Sequence, residues 1–123
     1  MTGGQMAPTT LPGQRSTTTP GGRNIKRDGA PLDLSQMIAI TGGSSYIERT
    51  AIYSPKSIRQ TKKALTKAFK VQMEGLGFSL VEVLSPCPTN WKMTPVEATD
   101  WVKDEMTKYF PIKVIKDTVK DKV

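Results

Sequence analysis

Between Tyr46 and Leu84 the sequence changes its hydrophobic period twice, and few folds can use that order. Tyr46 to Tyr53 reads as a strand, with Ile47, Ile52 and Tyr53 supplying β-branched and aromatic bulk. Ser54 then offers an N-cap with Pro55 at the first helical position. Helical spacing continues to about Glu74, where Gly75 and Gly77 stop it. Phe78 to Leu84 is nearly continuous in apolar residues, interrupted by Ser79 and Glu82. Such a run suits a strand buried on both faces of a parallel sheet. Strand, helix and strand in this order predict an α/β fold with parallel pairing.

The flanks fit this reading. Asp33, with Gln36 three residues on, predicts a short helix through about Ile40, ended by Gly42 and Gly43. Thr94-Pro95-Val96-Glu97 is a capping box that opens a helix carrying Trp101, Val102 and Tyr109, closed by Pro111. Ile58, Leu65, Phe69 and Leu76, with Ala68 and Gln72, trace one apolar side of the long helix. Residues 1–32 differ in character: they hold 10 of the 19 Gly and Pro residues, six Thr and few core-forming side chains. They read as irregular structure, and a loop of that length is either functional or disordered. Residues 33–112 are then a partial α/β domain, and the charged stretch 113–123 is expected to fray. Two strands make only a fragment of a doubly wound sheet, so neighbours outside this set of elements are expected.

Composition narrows the chemistry. His is absent and Cys87 is the one cysteine. Ser–His and Cys–His dyads, intrachain disulfides and a self-contained zinc or iron–sulfur site are thereby excluded. No apolar run approaches the ~18 residues that span a bilayer, and no signal peptide is visible, so a cytoplasmic chain with no membrane partner is expected. The net charge is +7. The densest basic run is Lys56, Arg59, Lys62, Lys63, Lys67 and Lys70, which reads as the polar side of one helix. Aromatics do not interleave with it, so stacking platforms for nucleic acid are missing. Glu48 and Arg49 read as a polar pair at a strand end, as residues facing a subunit interface, or as surface residues.

Two short stretches carry candidate chemistry. Thr2, Gly3, Gly4 and Gln5 suit either a flexible terminus or a loop whose backbone N–H groups approach an anion. Cys87, between Pro86 and Pro88, suits either a small buried thiol or a fixed ligand in a stiff loop. In the same loop, Trp91 reads as a packing residue and Asn90 as a residue that shapes the turn.

Taken together these stretches resemble one family. Met1-Thr2-Gly3-Gly4-Gln5-Met6-Ala7-Pro8-Thr9-Thr10 resembles the segment directly after the thiamine-diphosphate motif in beta subunits of 2-oxoacid:ferredoxin oxidoreductases. Leu84-Ser85-Pro86-Cys87-Pro88-Thr89-Asn90-Trp91 resembles that subunit's C-terminal loop. Tyr46-Ile47-Glu48-Arg49, Phe69-Lys70-Val71-Gln72-Met73-Glu74-Gly75 and Tyr109-Phe110-Pro111 fit in order. The likeness is to the type acting on 2-oxoglutarate or branched-chain 2-oxoacids. It implies the C-terminal half of a doubly wound, mostly parallel thiamine-diphosphate-binding domain with a long irregular N-terminal segment. It also implies that Thr2, Gly3, Gly4 and Gln5 lie beside the cofactor, that Cys87 is the fourth ligand of a [4Fe–4S] cluster, and that residues 9–32 cover the site.

The resemblance carries a gap. The family's Gly-Asp-Gly, Asn-Asn and Cys-x-x-Cys motifs, which hold Mg²⁺, diphosphate and cluster, do not occur in this sequence. The expectation is therefore an incomplete beta subunit, inactive and without cofactor on its own. Its implied partners are the N-terminal half, the alpha subunit, gamma and delta subunits, ferredoxin, coenzyme A and the 2-oxoacid. The alternatives are a non-catalytic interaction module or gene remnant, and, more remotely, a basic nucleic-acid-binding protein.

Overall fold

The computed structural model of the chain describes residues 9–122. Its elements in order are α1 (Ile25–Asp28), α2 (Leu34–Ala39), β1 (Ser44–Ala51), α3 (Pro55–Met73), β2 (Phe78–Leu84), α4 (Pro88–Trp91) and α5 (Pro95–Trp101). From α5 the helix passes through a π-helical turn, Val102–Met106, into α6 (Thr107–Tyr109), and β3 (Lys113–Asp117) follows. The fold is α/β. The capping signals place the helices: the Asp33 side chain accepts from the Gln36 N–H, and Ser54 and Thr94 each close a capping box.

The sheet order is β2-β1-β3. β1 and β2 run parallel, with Ile47 opposite Leu80 and Ala51 opposite Leu84, and α3 makes the crossover between them. β3 joins the other edge of β1 antiparallel, with Tyr46 opposite Asp117. The sheet is therefore mixed, where a mostly parallel one was expected.

Residues 113–117 correct the expectation of a fraying tail. Their charges are spent on tertiary contacts. The Lys116 Nζ donates to the carbonyls of Ala39 (2.9 Å) and Thr41 (3.0 Å) and to the Ser44 hydroxyl (2.8 Å). Asp117 accepts from the Lys67 Nζ at 2.7 Å, which ties β3 to α3. Val119, just beyond the strand, is buried with Tyr46 and Val71.

Two apolar clusters cover the two faces of the sheet. Tyr46, Val71 and Val119, with Ala68, Leu76 and Val81, lie on the α3 side. Ala51 and Leu84 point the other way, into Leu11, Trp91, Ala98, Val102, Met106 and Phe110. β1 is buried along nearly its whole length, whereas β2 is half-buried. The most buried strand is thus β1, not the more apolar β2, because among the described strands β1 alone has a neighbour on each edge.

α3 rotates its sequence stripe partly away from the sheet. Its buried residues are Ser57, Thr61, Ala64 and Val71. Ala68 and Leu76 of the expected side pack inward, but Ile58, Leu65 and Phe69 are exposed. Small and hydroxylated residues let the helix approach closely, and the Thr61 hydroxyl donates to the Ala51 carbonyl at 3.2 Å. Lys56, Arg59, Lys62, Lys63 and Lys70 of the basic run face solvent, as expected, whereas Lys67 is half-buried and turned onto Asp117.

Glu48 and Arg49 do not form a pair. Adjacent strand residues point to opposite faces, and both are buried rather than on the surface. Glu48 accepts a hydrogen bond from the Tyr46 hydroxyl. Burial, that bond and the Glu48 and Asp117 charges together push the Tyr46 phenol well above its ordinary value. A raised folded-state value means the proton is held in the native protein. The resulting stability is complete below the unfolded value of 10.0 and is lost as pH rises beyond it. Tyr46→Phe should therefore show a shallower alkaline loss of stability than the parent chain in urea melts run across high pH. At neutral pH it should lose about 1–3 kcal/mol, because Glu48 is left without its donor.

Candidate functional site

Parallel β1 and β2 bring their C-terminal ends to one side of the sheet, the edge at which open α/β sheets bind ligands. Three segments meet there. The turn after β1 carries Tyr53 and Ser54 into the start of α3, and the chain after β2 carries Cys87 into α4. Residues 9–23 lie against the same apolar cluster through Leu11. A groove of about 320 Å³ opens between Tyr53, Ser54, Lys56, Gln60 and Ile112 at the N-terminal end of α3.

Cys87 is partly buried, is the N-cap residue of α4, and packs beside the Leu11–Phe110 cluster. Its sulfur accepts a hydrogen bond from the Asn90 Nδ2 at 3.2 Å. The Asn90 Oδ1 in turn accepts from the Thr17 hydroxyl at 2.8 Å. Asn90 thus shapes the loop as expected, and it couples Cys87 to the N-terminal segment. Trp91 is buried in the apolar cluster, in keeping with a packing role. Lys92, with φ of 56°, turns the chain out of α4, and the Met93 N–H returns to the Pro88 carbonyl at 3.0 Å. Thr2, Gly3, Gly4 and Gln5 lie outside the described residues.

The donor set limits what this site can hold alone. Among the described residues no group of three or more His, Cys, Asp or Glu side chains could hold a metal ion. A [4Fe–4S] cluster needs four ligands, and Cys87 offers one sulfur, which accepts a hydrogen bond from the Asn90 amide. Among the described residues this one sulfur does not make a self-contained cluster site.

Residues 9–32 are tied together by hydrogen bonds within the segment. The Arg23 guanidinium donates to the carbonyls of Thr10 (3.3 Å), Asp28 (3.3 Å), Gly29 (3.0 Å) and Ala30 (3.2 Å). Backbone bonds run from the Gly13 N–H to the Arg23 carbonyl and from the Arg23 N–H to the Gln14 carbonyl. Gly22 has φ of 87°, and a Cβ there would meet the Gly13 oxygen at 2.7 Å. Asn24 caps α1, and Arg27 and the Asn24 N–H hold the Asp28 carboxyl at about 2.

One buried feature was missed from the sequence. Arg49 is fully buried on β1. It pairs with Glu82 of β2 at 2.6 Å and with Asp33, the cap of α2. Its guanidinium sits 5.1 Å from the centre of the Phe110 ring. Glu82 also accepts from the Ser35 hydroxyl at 2.6 Å. The polar Glu82 inside an apolar strand was the available signal, since a buried charge needs a partner.

Comparison with known proteins identifies relatives. The chain is 44% identical over 117 residues to the ketoisovalerate oxidoreductase subunit VorA of Methanothermobacter marburgensis, covering 95% of the chain and 24% of that protein. It is 39% identical over 104 residues to the 2-oxoglutarate synthase subunit KorB of Archaeoglobus fulgidus, covering 85% of the chain and 34% of KorB. A 30% identity over 129 residues links it to KorB of Methanothermobacter thermautotrophicus, with 41% of that protein covered. The chain is similar to part of 2-oxoacid oxidoreductase subunits. It spans only about a quarter to two-fifths of their length. No family model and no solved structure matches it. No described helix is long and apolar enough to cross a membrane.

Two stability outcomes follow from this geometry. Arg49→Ala should cost about 2–4 kcal/mol in urea denaturation, because it leaves the half-buried Glu82 and the partly exposed Asp33 without their cation. Arg49→Lys should cost less, yet still fall short, since an ammonium lacks the fork that spans two carboxylates. Arg23→Ala should leave the global melt almost unchanged while residues 9–32 become the first protease cleavage region, read by mass spectrometry.

Proposed function

We propose that this chain is the C-terminal portion of a thiamine-diphosphate-binding beta subunit of a cytoplasmic 2-oxoacid:ferredoxin oxidoreductase. It works with the remainder of that subunit, an alpha subunit and, in larger assemblies, gamma and delta subunits. The 44% identity to VorA over 95% of the chain and the 39% identity to KorB over 85% of it support the oxidoreductase-subunit part of the reading; the beta-subunit part rests on the likeness of Met1–Thr10 and Leu84–Trp91 to that subunit's motifs. Bound thiamine diphosphate with Mg²⁺ supplies the chemistry that removes CO₂ from a 2-oxoacid; ferredoxin takes the electrons and coenzyme A the acyl group.

The chain's own residues have narrower tasks in this scheme. By the sequence resemblance, Thr2, Gly3, Gly4 and Gln5 would lie beside the diphosphate, where glycines allow a close approach to an anion. Cys87 gives one thiolate to a [4Fe–4S] cluster whose other ligands lie elsewhere in the assembly. Asn90 orients that sulfur, and a hydrogen bond to a cluster sulfur is one of the levers on its potential. Thr17 fixes the Asn90 amide so that its nitrogen faces Cys87.

The direct test grafts this chain onto Methanothermobacter marburgensis VorA in place of the stretch it matches. The chimera, assembled with its natural partner subunits, should reduce a viologen dye on addition of ketoisovalerate, coenzyme A and thiamine diphosphate. Cys87→Ser in the chimera should lower that rate by about a hundredfold or more and reduce bound iron, and Asn90→Ala should lower it about tenfold. A folded chimera without activity, or an unchanged Cys87→Ser rate, would sink the reading. The purified chain alone should be colourless and give no heat with thiamine diphosphate in calorimetry.

A further inference from the structure

The charges of α3 work against the helix that carries them. Pro55–Met73 holds Lys56, Arg59, Lys62, Lys63, Lys67 and Lys70 and not one Asp or Glu. Spacings of three and four residues put like charges side by side: Lys56 with Arg59, Arg59 with Lys62 and Lys63, Lys63 with Lys67, and Lys67 with Lys70. Such neighbours repel on a helix surface. The ends repeat the conflict. Lys56 lies in the first turn, where the helix dipole favours an anion, and Glu74 is the C-cap, where it favours a cation. A surface that only has to be soluble mixes both signs.

The same side chains form one continuous face. Lys56, Arg59, Lys63, Lys67 and Lys70 follow a stripe about 21 Å long, with Lys62 and Thr66 beside it. Lys62, Lys63, Thr66, Lys67 and Lys70 line a hollow of about 310 Å³. Every one of these lining residues belongs to α3, so the hollow is an open space between side chains with no opposite wall to enclose a small anion. Its place on the fold is set by Lys67, which reaches Asp117 of β3 at 2.7 Å. The stripe therefore looks outward on the β3 side. The residues of α3 that face β2, among them Leu65, Ala68 and Phe69, occupy the other flank. Strands that continue the sheet beyond β2 lie on that other flank as well.

A carboxylate is what the stripe already takes. Asp117 pairs with Lys67, while Lys56, Arg59, Lys62, Lys63 and Lys70 make no ion pair among the described residues. Five of the six cations are lysines, which lack the guanidinium fork that suits phosphate. No aromatic side chain stands in the stripe to stack on a base. A second copy of the chain is a poor match: its net charge is +7, and Glu97, Asp100, Asp104 and Glu105 are interspersed with Lys92, Lys103 and Lys108. We propose that this face of α3 docks a carboxylate-rich surface of another protein, whose acids pair with Arg59, Lys62, Lys63 and Lys70. The partner supplies the opposite charge that the helix lacks, so repulsion within α3 is relieved on contact. Opposed charges of this kind set orientation and on-rate. The face stands apart from the thiamine reading, since neither Cys87 nor the N-terminal loop takes part in it.

The test uses the full chain and a fluorescein-labelled Ala/Glu helical peptide with Glu at matching spacings of three and four residues. Fluorescence anisotropy should show saturable binding at low salt that weakens as salt rises, and a counterpart peptide with Lys in place of Glu should not bind. Arg59→Glu and Lys63→Glu, made separately, should each weaken binding about tenfold. Each should also raise the circular dichroism melting temperature by about 2 °C, because the new acid meets cations three and four residues away. A merely structural role for these cations predicts a lower melting temperature instead. The proposal is overturned by no binding of the Glu peptide, by equal binding of the Lys peptide, or by a melting temperature that falls in either variant. Tighter binding of a short DNA duplex or of phosphatidylglycerol vesicles, lost in the same variants, overturns it too. So does self-association in low-salt sedimentation that these variants abolish.

Discussion

The ion pairs of Arg49 hold the architecture together. One guanidinium, fully buried in the central strand, joins the cap of α2 through Asp33 and the neighbouring strand through Glu82. Ser35 adds a second bond to the same Glu82 carboxylate, so the start of α2 is fastened to the sheet twice. Phe110, at the far end of the last helix, closes over the guanidinium. Removing water from this set makes each bond strong and each missing partner costly. The short helix, both parallel strands and the helical C-terminal region are thereby referred to a single side chain.

The local grammar of the sequence was readable because its signals act within a few residues. Ser54 with Pro55, Asp33 with Gln36 and Thr94 with Glu97 each mark a helix start where the structure has one. The second parallel strand falls on Phe78–Leu84 as read. What could not be read acts over distance. Lys116 reaches Ala39 and Ser44, and Asp117 reaches Lys67, so charges that suggest a loose tail are the fasteners of β3. The face of α3 was misjudged for a related reason. Burial there follows how close the helix can come, which favours Ser57, Thr61 and Ala64 over the larger Leu65 and Phe69.

The candidate site was legible in its chemistry and opaque in its wiring. Cys87 stands out as the one thiol in a chain without His, and the loop around it is distinctive. That Asn90 would turn its amide nitrogen onto the sulfur, and that Thr17 would hold the other end of that amide, depends on chain segments that are far apart in sequence. Fold and site also differ in how much of each this chain supplies. The sheet and the apolar clusters on its two faces are present here, whereas Cys87 has no further metal-ligating groups gathered around it among the described residues.

The Arg23 clamp has a thermodynamic consequence for assembly. A Gly- and Pro-rich segment left loose until a partner arrived would charge the complex about 1–2 kcal/mol for each residue ordered on contact. Arg23 gathers four carbonyls of its own segment, and Gly22 lets two stretches of that segment approach at backbone distance. Much of the ordering entropy is therefore spent during folding. A partner that lands on residues 9–32 meets a preformed relief, and the free energy of its contacts goes into affinity instead of into organising the loop.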